Sequence, residues 1–135
     1  MKAYAWKVNG VEYVAYCDTV RVPFANSYGR GRCWQQRVKV YCNGSLIGKE
    51  ERAHIYNRTW ECWEYQTLIA QAFCDEMERI MNRFYENEKR AHDWKRLTQS
   101  RRCSLEIPQL IRDRLDTLNH GYESINGYNR PQEVA

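Results

Sequence analysis

No glycine or proline occurs between Asn57 and Ser100, a run much longer than an average helix or strand. Asn57 can cap a helix, and acidic residues in the following turns suit the positive end of the helix dipole. The pattern predicts one helix over residues 57–99, roughly 60 Å long at about 1.5 Å per residue. Its apolar residues recur at the a and d positions of a heptad, namely Trp63, Ala70, Phe73, Met77, Ile80, Phe84, Ala91 and Trp94.

The first 56 residues alternate apolar and polar side chains instead. Two alternating runs flank Asn9-Gly10, the strongest short hairpin signal, and the segment CNGS predicts a second hairpin turn. Pro23 cannot donate to a strand ladder, so its strand is predicted at an edge or to end there. Residues 25–32 are predicted as a loop. The prediction is an antiparallel sheet of four or five strands. The predicted strands are Ala3–Val8, Val11–Tyr16, 19–24, 33–41 and 46–55.

A sheet of short strands cannot cover the whole predicted helix, because six residues of strand span only about 20 Å. A second helix is predicted over residues 104–120, with Ser104 as a possible cap and Gly121 as its stop. It is expected to fold back on the far half of the long helix as a helical hairpin. The alternative is that the long helix pairs with a second copy in a homodimer.

The predicted fold class is therefore α+β, with one domain over residues 1–121. The sheet takes residues 1–56, the long helix residues 57–99 and the second helix residues 104–120. Residues 122–135 show no period and are predicted to form a loose tail.

The segment YNRTWECWEYQ, residues 56–66, joins the sheet to the helix. Trp60 and Trp63 are three residues apart, on a helix face that continues to Phe73. They are predicted to fill the corner between sheet and helix as core residues. Tyr65 points about 140° away from Trp60 at about 100° per residue, so Tyr65 and Tyr56 are predicted to be exposed.

The six cysteines, at positions 17, 33, 42, 62, 74 and 103, are irregularly spaced and form no C-x-x-C pair. We expect free, mostly buried thiols, with a metal site or disulfides as the alternatives. The N-terminus MKAYAWKVNG has no apolar signal-peptide region, and no apolar run approaches the roughly 18 to 20 residues that span a bilayer. The prediction is a cytoplasmic protein with no membrane partner.

No pattern of catalytic or ligand-binding residues stands out. The three histidines have no recognised metal spacing, and phosphate-binding glycine loops and nucleophile motifs are missing from the sequence. The acidic cluster Asp75, Glu76 and Glu78 is interpreted as a solvated helix face. We therefore predict no catalytic residue, no metal and no cofactor, with a metal-dependent enzyme as the less favoured alternative.

The charge is distributed in blocks. The chain carries a net charge of +4, with +5 over residues 1–57, −4 over 58–88, +5 over 89–114 and −2 over 115–135. If the strand valines face the helix, the outer sheet face carries Arg21, Arg37 and Lys39, next to Tyr28, Arg30 and Arg32 in the predicted loop. Arginines interleaved with aromatic rings suit phosphate contact and base stacking. The second basic block, at the far end of the long helix and in the loop after it, comprises Lys89, Arg90, Lys95, Arg96, Arg101 and Arg102.

A short chain that is rich in Tyr, Trp and Arg and lacks catalytic motifs resembles the small orphan accessory proteins of bacteriophages and mobile elements. The resemblance is one of overall style and carries no residue assignments. It implies a non-enzymatic protein that inhibits host defence or nucleic-acid machinery, as anti-CRISPR proteins do. The leading hypothesis is a steric inhibitor whose partner is a host protein or ribonucleoprotein complex. The alternative is a protein that binds DNA or RNA directly through the same basic residues.

Overall fold

A computed structural model describes residues 1–27, 29–54, 62–99, 107–127 and 129–134. For residues 26, 54, 62–64 and 91–99 it describes the backbone alone. Predictions for Tyr56, Trp60, Ser104, Arg101 and Arg102 lie outside the described residues, and so does the prediction for the Trp63 side chain.

The described elements form a five-stranded antiparallel sheet and two helices, which confirms the α+β class. The sheet order is β4-β3-β2-β1-β5. None of the helices in the described part of the chain is long and apolar enough to cross a membrane. In chain order the elements are β1 Lys2–Val8, β2 Val11–Asn26, β3 Gly29–Cys42, β4 Ser45–His54, α1 Cys62–Gln99, α2 Gln109–Ser124 and β5 Gln132–Val134.

Two Asn-Gly turns set the register of the sheet, as predicted. Asn9 and Asn43 have φ angles of 50° and 47°, and the glycine after each has a φ of 80°. Positive φ at both central residues is the geometry of the tight turns that match strand twist. The Asn43 side chain accepts a hydrogen bond of 2.9 Å from the Glu12 backbone N–H, and the Asn43 N–H donates one of 2.7 Å to the Glu12 carbonyl. The second turn is therefore tied to the start of β2.

The core lies between one face of the sheet and a stripe of α1. Tyr65, Leu68, Ile69, Ala72 and Phe73 are all buried, and their spacing of three and four residues places them on one helix face. The sheet contributes alternate residues to the same core, namely Tyr4, Trp6, Tyr13, Ala15, Cys17, Val38, Val40 and Ile47.

Tyr65 is a correction to the sequence prediction. It is 4% exposed, its ring lies 6.4 Å from that of Tyr4, and its hydroxyl is 2.6 Å from the Thr19 hydroxyl. The prediction of an exposed Tyr65 was wrong because the buried stripe of α1 is rotated from the predicted heptad. Ala70 and Met77, which were assigned to its centre, lie only partly buried at the margin of the core.

The strand β2 is also longer than predicted. It runs without interruption from Val11 to Asn26, and β3 begins at Gly29, so most of the predicted loop is paired strand. Pro23 sits where β1 no longer lies beside β2, since β1 pairs only as far as Cys17. An open edge is where a strand tolerates proline.

The segment after Gly121 differs from the predicted loose tail. The helix α2 continues to Ser124, Ile125 is 1% exposed, and Gln132–Val134 pairs with β1 as the fifth strand. Gly121 does not stop the helix. It is buried, and a Cβ there would lie 2.7 Å from ring atoms of both Phe73 and Tyr13. The glycine lets α2 approach the core closely.

Candidate nucleic-acid interface

The end of the β2–β3 hairpin is a two-stranded ribbon. Val22–Asn26 pairs with Gly29–Cys33, and in the described residues no third strand pairs with either segment. In the described part of the chain, the pairing of β4 with β3 extends to the His54–Trp34 pair, next to the base of this segment. The ribbon spans roughly 14 Å at about 3.4 Å per residue. We call Val22–Asn26 and Gly29–Cys33 the ribbon, and Arg21 and Trp34 its base.

Three arginines lie on one face of the ribbon and its base. The register pairs Arg21 with Trp34, Pro23 with Arg32 and Ala25 with Arg30, and paired residues share a face. Arg30 and Arg32 are exposed. Between Thr19 and Gln36 the sequence contains these three arginines and no acidic residue. The opposite face is apolar, and there the Phe24 ring lies over Gly31.

Arg21 is therefore on a different face from the one predicted. Strict alternation along β2 places it on the same side as Tyr13, Ala15 and Cys17, which is the helix-facing side. The prediction treated residues 19–24 as a separate strand whose valines face the helix. Because β2 is continuous, Val20 and Val22 are on the outer side instead. The Arg21 guanidinium lies 5.5 Å from the centre of the Trp34 ring, a cation–π contact.

Arg37 and Lys39 lie on the outer, helix-free face, as predicted. Arg37 is engaged there by Asp18 in a bidentate ion pair, with Nε–Oδ1 and Nη2–Oδ2 distances of 3.0 and 2.8 Å. This hydrogen bonding holds the pKa of Asp18 below its ordinary value. Lys39 is opposite Tyr16, which is 41% exposed and meets Tyr41 edge-on at 5.6 Å. The outer face is thus mixed in charge, whereas the ribbon face is basic alone.

Within the described residues, the second basic block lies away from the ribbon. The helix α1 begins near the ribbon base, where Tyr65 meets Thr19, and it runs toward the other end of the sheet, where Phe73 packs against Tyr13 with ring centres 5.4 Å apart. Lys89 and Arg90 are exposed further along the same helix. Lys95 and Arg96 continue its backbone, their side chains not being described, and Arg101 and Arg102 lie beyond the described residues.

A pair of carboxyl groups with shifted pKa values lies elsewhere, between β4 and α1. Burial, together with a hydrogen bond to Asp75, raises the pKa of Glu50 to about 7. The same hydrogen bond, with one from Gln71 of 2.7 Å, lowers the pKa of Asp75. Asp75 and Glu76 are only partly exposed, so their interpretation as a solvated face was wrong, while Glu78 is exposed. The hydrogen-bonded pair Glu50–Asp75 joins α1 to β4 and is not part of the ribbon.

The described cysteines are all free thiols. Cys17, Cys33 and Cys42 are buried free thiols, and Cys74 is a partly exposed one; Cys62 and Cys103 are not covered. Within the described ranges no three His, Cys, Asp or Glu side chains converge to hold a metal ion.

Comparison with protein-family models, with curated proteins and with solved structures finds no match to this chain.

Sequence reasoning named the ribbon arginines but missed their arrangement. It placed Arg30, Arg32 and Tyr28 in a loop, and the structure does not describe Tyr28. The signal that could have found the strand is the spacing of Arg30, Arg32 and Trp34, which recur every second residue like side chains on one face of a strand. The same spacing puts small or apolar residues, Gly31 and Cys33, on the other face.

Proposed function

We propose that this chain is a non-enzymatic cytoplasmic protein that binds nucleic acid, DNA or RNA, through the arginine face of its ribbon. The observation that carries the proposal is the convergence of Arg21, Arg30 and Arg32 on one face of a two-stranded ribbon. No carboxylate in the described residues forms an ion pair with any of the three. Guanidinium groups without carboxylate partners are suited to phosphate oxygens, which they bind as a planar fork.

The test is a salt series with matched variants. Purified protein is titrated onto random-sequence DNA and RNA from about 50 to 200 mM salt, a range over which several phosphate contacts cost orders of magnitude in affinity. Replacing Arg30 and Arg32 by alanine should weaken binding at least tenfold and lower the log–log salt slope by about one per arginine. The control replaces two exposed arginines outside the ribbon, Arg83 and Arg112, which removes the same charge.

Two results would contradict the proposal. One is no binding to either nucleic acid at the lowest salt. The other is an equal loss of affinity in the ribbon variant and in the control, which would mean that net charge alone drives binding.

A steric inhibitor of a host nucleic-acid-handling complex, such as a defence nuclease, is the second candidate. The observation that favours it is the Arg21–Trp34 contact at the ribbon base, since arginine and tryptophan are enriched in the hot spots of protein interfaces. This candidate predicts a stable complex with a protein partner and little affinity for bare nucleic acid. Capture of partners with wild-type protein and with the Arg30/Arg32 variant distinguishes it from direct binding.

The finer architecture is also a proposal. We propose that α1 is a single long helix and that α2 folds back against it as a helical hairpin. Two observations support this: the continuous helix Cys62–Gln99, and the approach of Gly121 to Phe73. That approach is on the sheet-proximal half of α1, whereas the sequence predicted the far half. Light scattering tests the alternative, a homodimer through the far half of α1, because a monomeric mass at high concentration would exclude it.

A further inference from the structure

The dimensions of the ribbon match a groove of the double helix. Its two strands lie about 4.8 Å apart, so that with side chains the ribbon is narrower than the major groove of B-form DNA, which is about 12 Å wide and 8.5 Å deep. That groove admits a two-stranded β-ribbon. Along its length, roughly 14 Å at about 3.4 Å per residue, the ribbon carries no paired third strand in the described residues that would widen it.

The arrangement of side chains on the ribbon suits this placement. On the arginine face, the residues paired with Arg30 and Arg32 are Ala25 and Pro23, which are small or compact. Arg30 and Arg32 are exposed beside these small neighbours, and the arginine side chain is long enough to reach base edges or phosphates on either wall of the groove. Arginine binds the O6 and N7 atoms of guanine as a bidentate pair in this groove.

A single strand is a poorer fit, because it needs exposed rings on which bases stack. Among the described residues of the ribbon and its base, Trp34 is the aromatic residue on the arginine face, and the Arg21 guanidinium lies against its ring. The exposed Tyr16 lies on the outer sheet face, away from the three ribbon arginines and among groups of both charges, with Lys39 opposite it. Double-stranded RNA also fits poorly, since its major groove is deep, narrow and closed to side chains.

We infer that the ribbon enters the major groove of duplex DNA, with the Arg21, Arg30 and Arg32 face turned toward the base edges. This inference rests on the proposed nucleic-acid binding and specifies the form of nucleic acid that is bound.

The test compares four probes of one sequence at one salt concentration. They are a 24-base-pair DNA duplex, one of its single strands, the corresponding RNA duplex, and the DNA duplex with bulky groups on the 5-position of its cytosines. Those groups fill the major groove and leave the phosphates unchanged. We expect the plain duplex to bind at least tenfold more tightly than each of the other three. The Arg30→Ala/Arg32→Ala variant should lose this preference, and the Arg83→Ala/Arg112→Ala variant should keep it.

The outcomes separate the two proposals. Equal or tighter binding to the single strand or to the RNA duplex would overturn the groove inference and leave nucleic-acid binding intact. Undiminished binding to the cytosine-modified duplex would do the same, by placing the contact on the backbone or in the minor groove. No binding to any probe would overturn both. Thermal unfolding of each variant checks that it is folded, and the exposed positions of all four arginines predict unchanged midpoints.

Discussion

Gly121 offers the sharpest test of how α2 meets the core. A Cβ at this position would lie 2.7 Å from Phe73 Cε1, 2.7 Å from Tyr13 Cζ and 2.8 Å from Tyr13 Cε1. Neither ring can easily move away. Both rings are fully buried, and the Tyr13 ring stacks on that of Trp6 with ring centres 5.4 Å apart. The Tyr13 hydroxyl donates a hydrogen bond to the backbone carbonyl of Thr117, which lies in α2 like Gly121. The variant Gly121→Ala therefore forces either two aromatic rings or the helix itself to shift.

The expected cost follows from two opposing effects. Overpacking a well-filled core costs about 1–3 kcal/mol, and two immobile rings place this site toward the upper end. Replacing a helical glycine by alanine gains about 1 kcal/mol of helix propensity. We therefore expect the free energy of unfolding to fall by about 1–2 kcal/mol, which lowers the melting temperature by roughly 3–8 °C in a chain of this size.

Urea unfolding followed by tryptophan fluorescence measures this difference. Gly127→Ala is the matched control, because a Cβ there would have its nearest neighbour at an ordinary 3.5 Å, the Glu123 carbonyl oxygen. It should change stability by less than about 0.5 kcal/mol. If Gly121→Ala were as stable as the wild type or more stable, the close approach of α2 to Tyr13 and Phe73 would be refuted.

Two further predictions concern the contacts that fix α1 to the sheet. Because the folded-state pKa of Glu50 is raised to about 7 from an ordinary 4.5, its stabilising contribution is complete below about pH 4.5 and is lost as the pH rises through 7. Urea unfolding from pH 5 to pH 8 should show a smaller loss of stability in Glu50→Gln than in the wild type, and parallel curves would contradict this. Tyr65→Phe removes a partly buried hydrogen bond to Thr19 and should lower the free energy of unfolding by about 1 kcal/mol. The control is Tyr16→Phe on the exposed outer face, which should lower it by less than half of that. Equal melting temperatures of these two variants would refute the assigned role of Tyr65.

Features that depend on local chemistry could be predicted from the sequence. The Asn-Gly turns follow from the ease with which those residues adopt positive φ, and the α+β class follows from the change of apolar period after the sheet. The buried face of α2 also follows from the helical spacing of Ile111, Leu115 and Leu118. Leu118 is buried and the other two are partly buried, while Leu110, which is off this spacing, is 83% exposed.

Features that depend on tertiary pairing could not be predicted from the sequence. The three residues of β5 all expose their side chains, so pairing with β1 leaves no hydrophobic pattern in the sequence. The phase of α1 was ambiguous because its apolar arc is wide, and only contact with Tyr4 and Thr19 selects the stripe that contains Tyr65. Gly121 carries the signature of a helix stop, and its real role is visible only beside the rings it contacts.

The register of β2 with β3 is a feature of tertiary pairing that controls the candidate site. Side chains alternate along a strand, so a slip of one residue moves every side chain to the other face. From Tyr13 to Asn26 the pairing of β2 with β3 has no shift, whereas the pairing of β3 with β4 has one between Val40 and Tyr41. If β2 carried a similar bulge between Arg21 and Pro23, Arg21 would face away from Arg30 and Arg32, and the basic face would be divided. The uninterrupted register of β2 is therefore what joins the three arginines into one surface and leaves the opposite face of the ribbon to Val22 and Phe24.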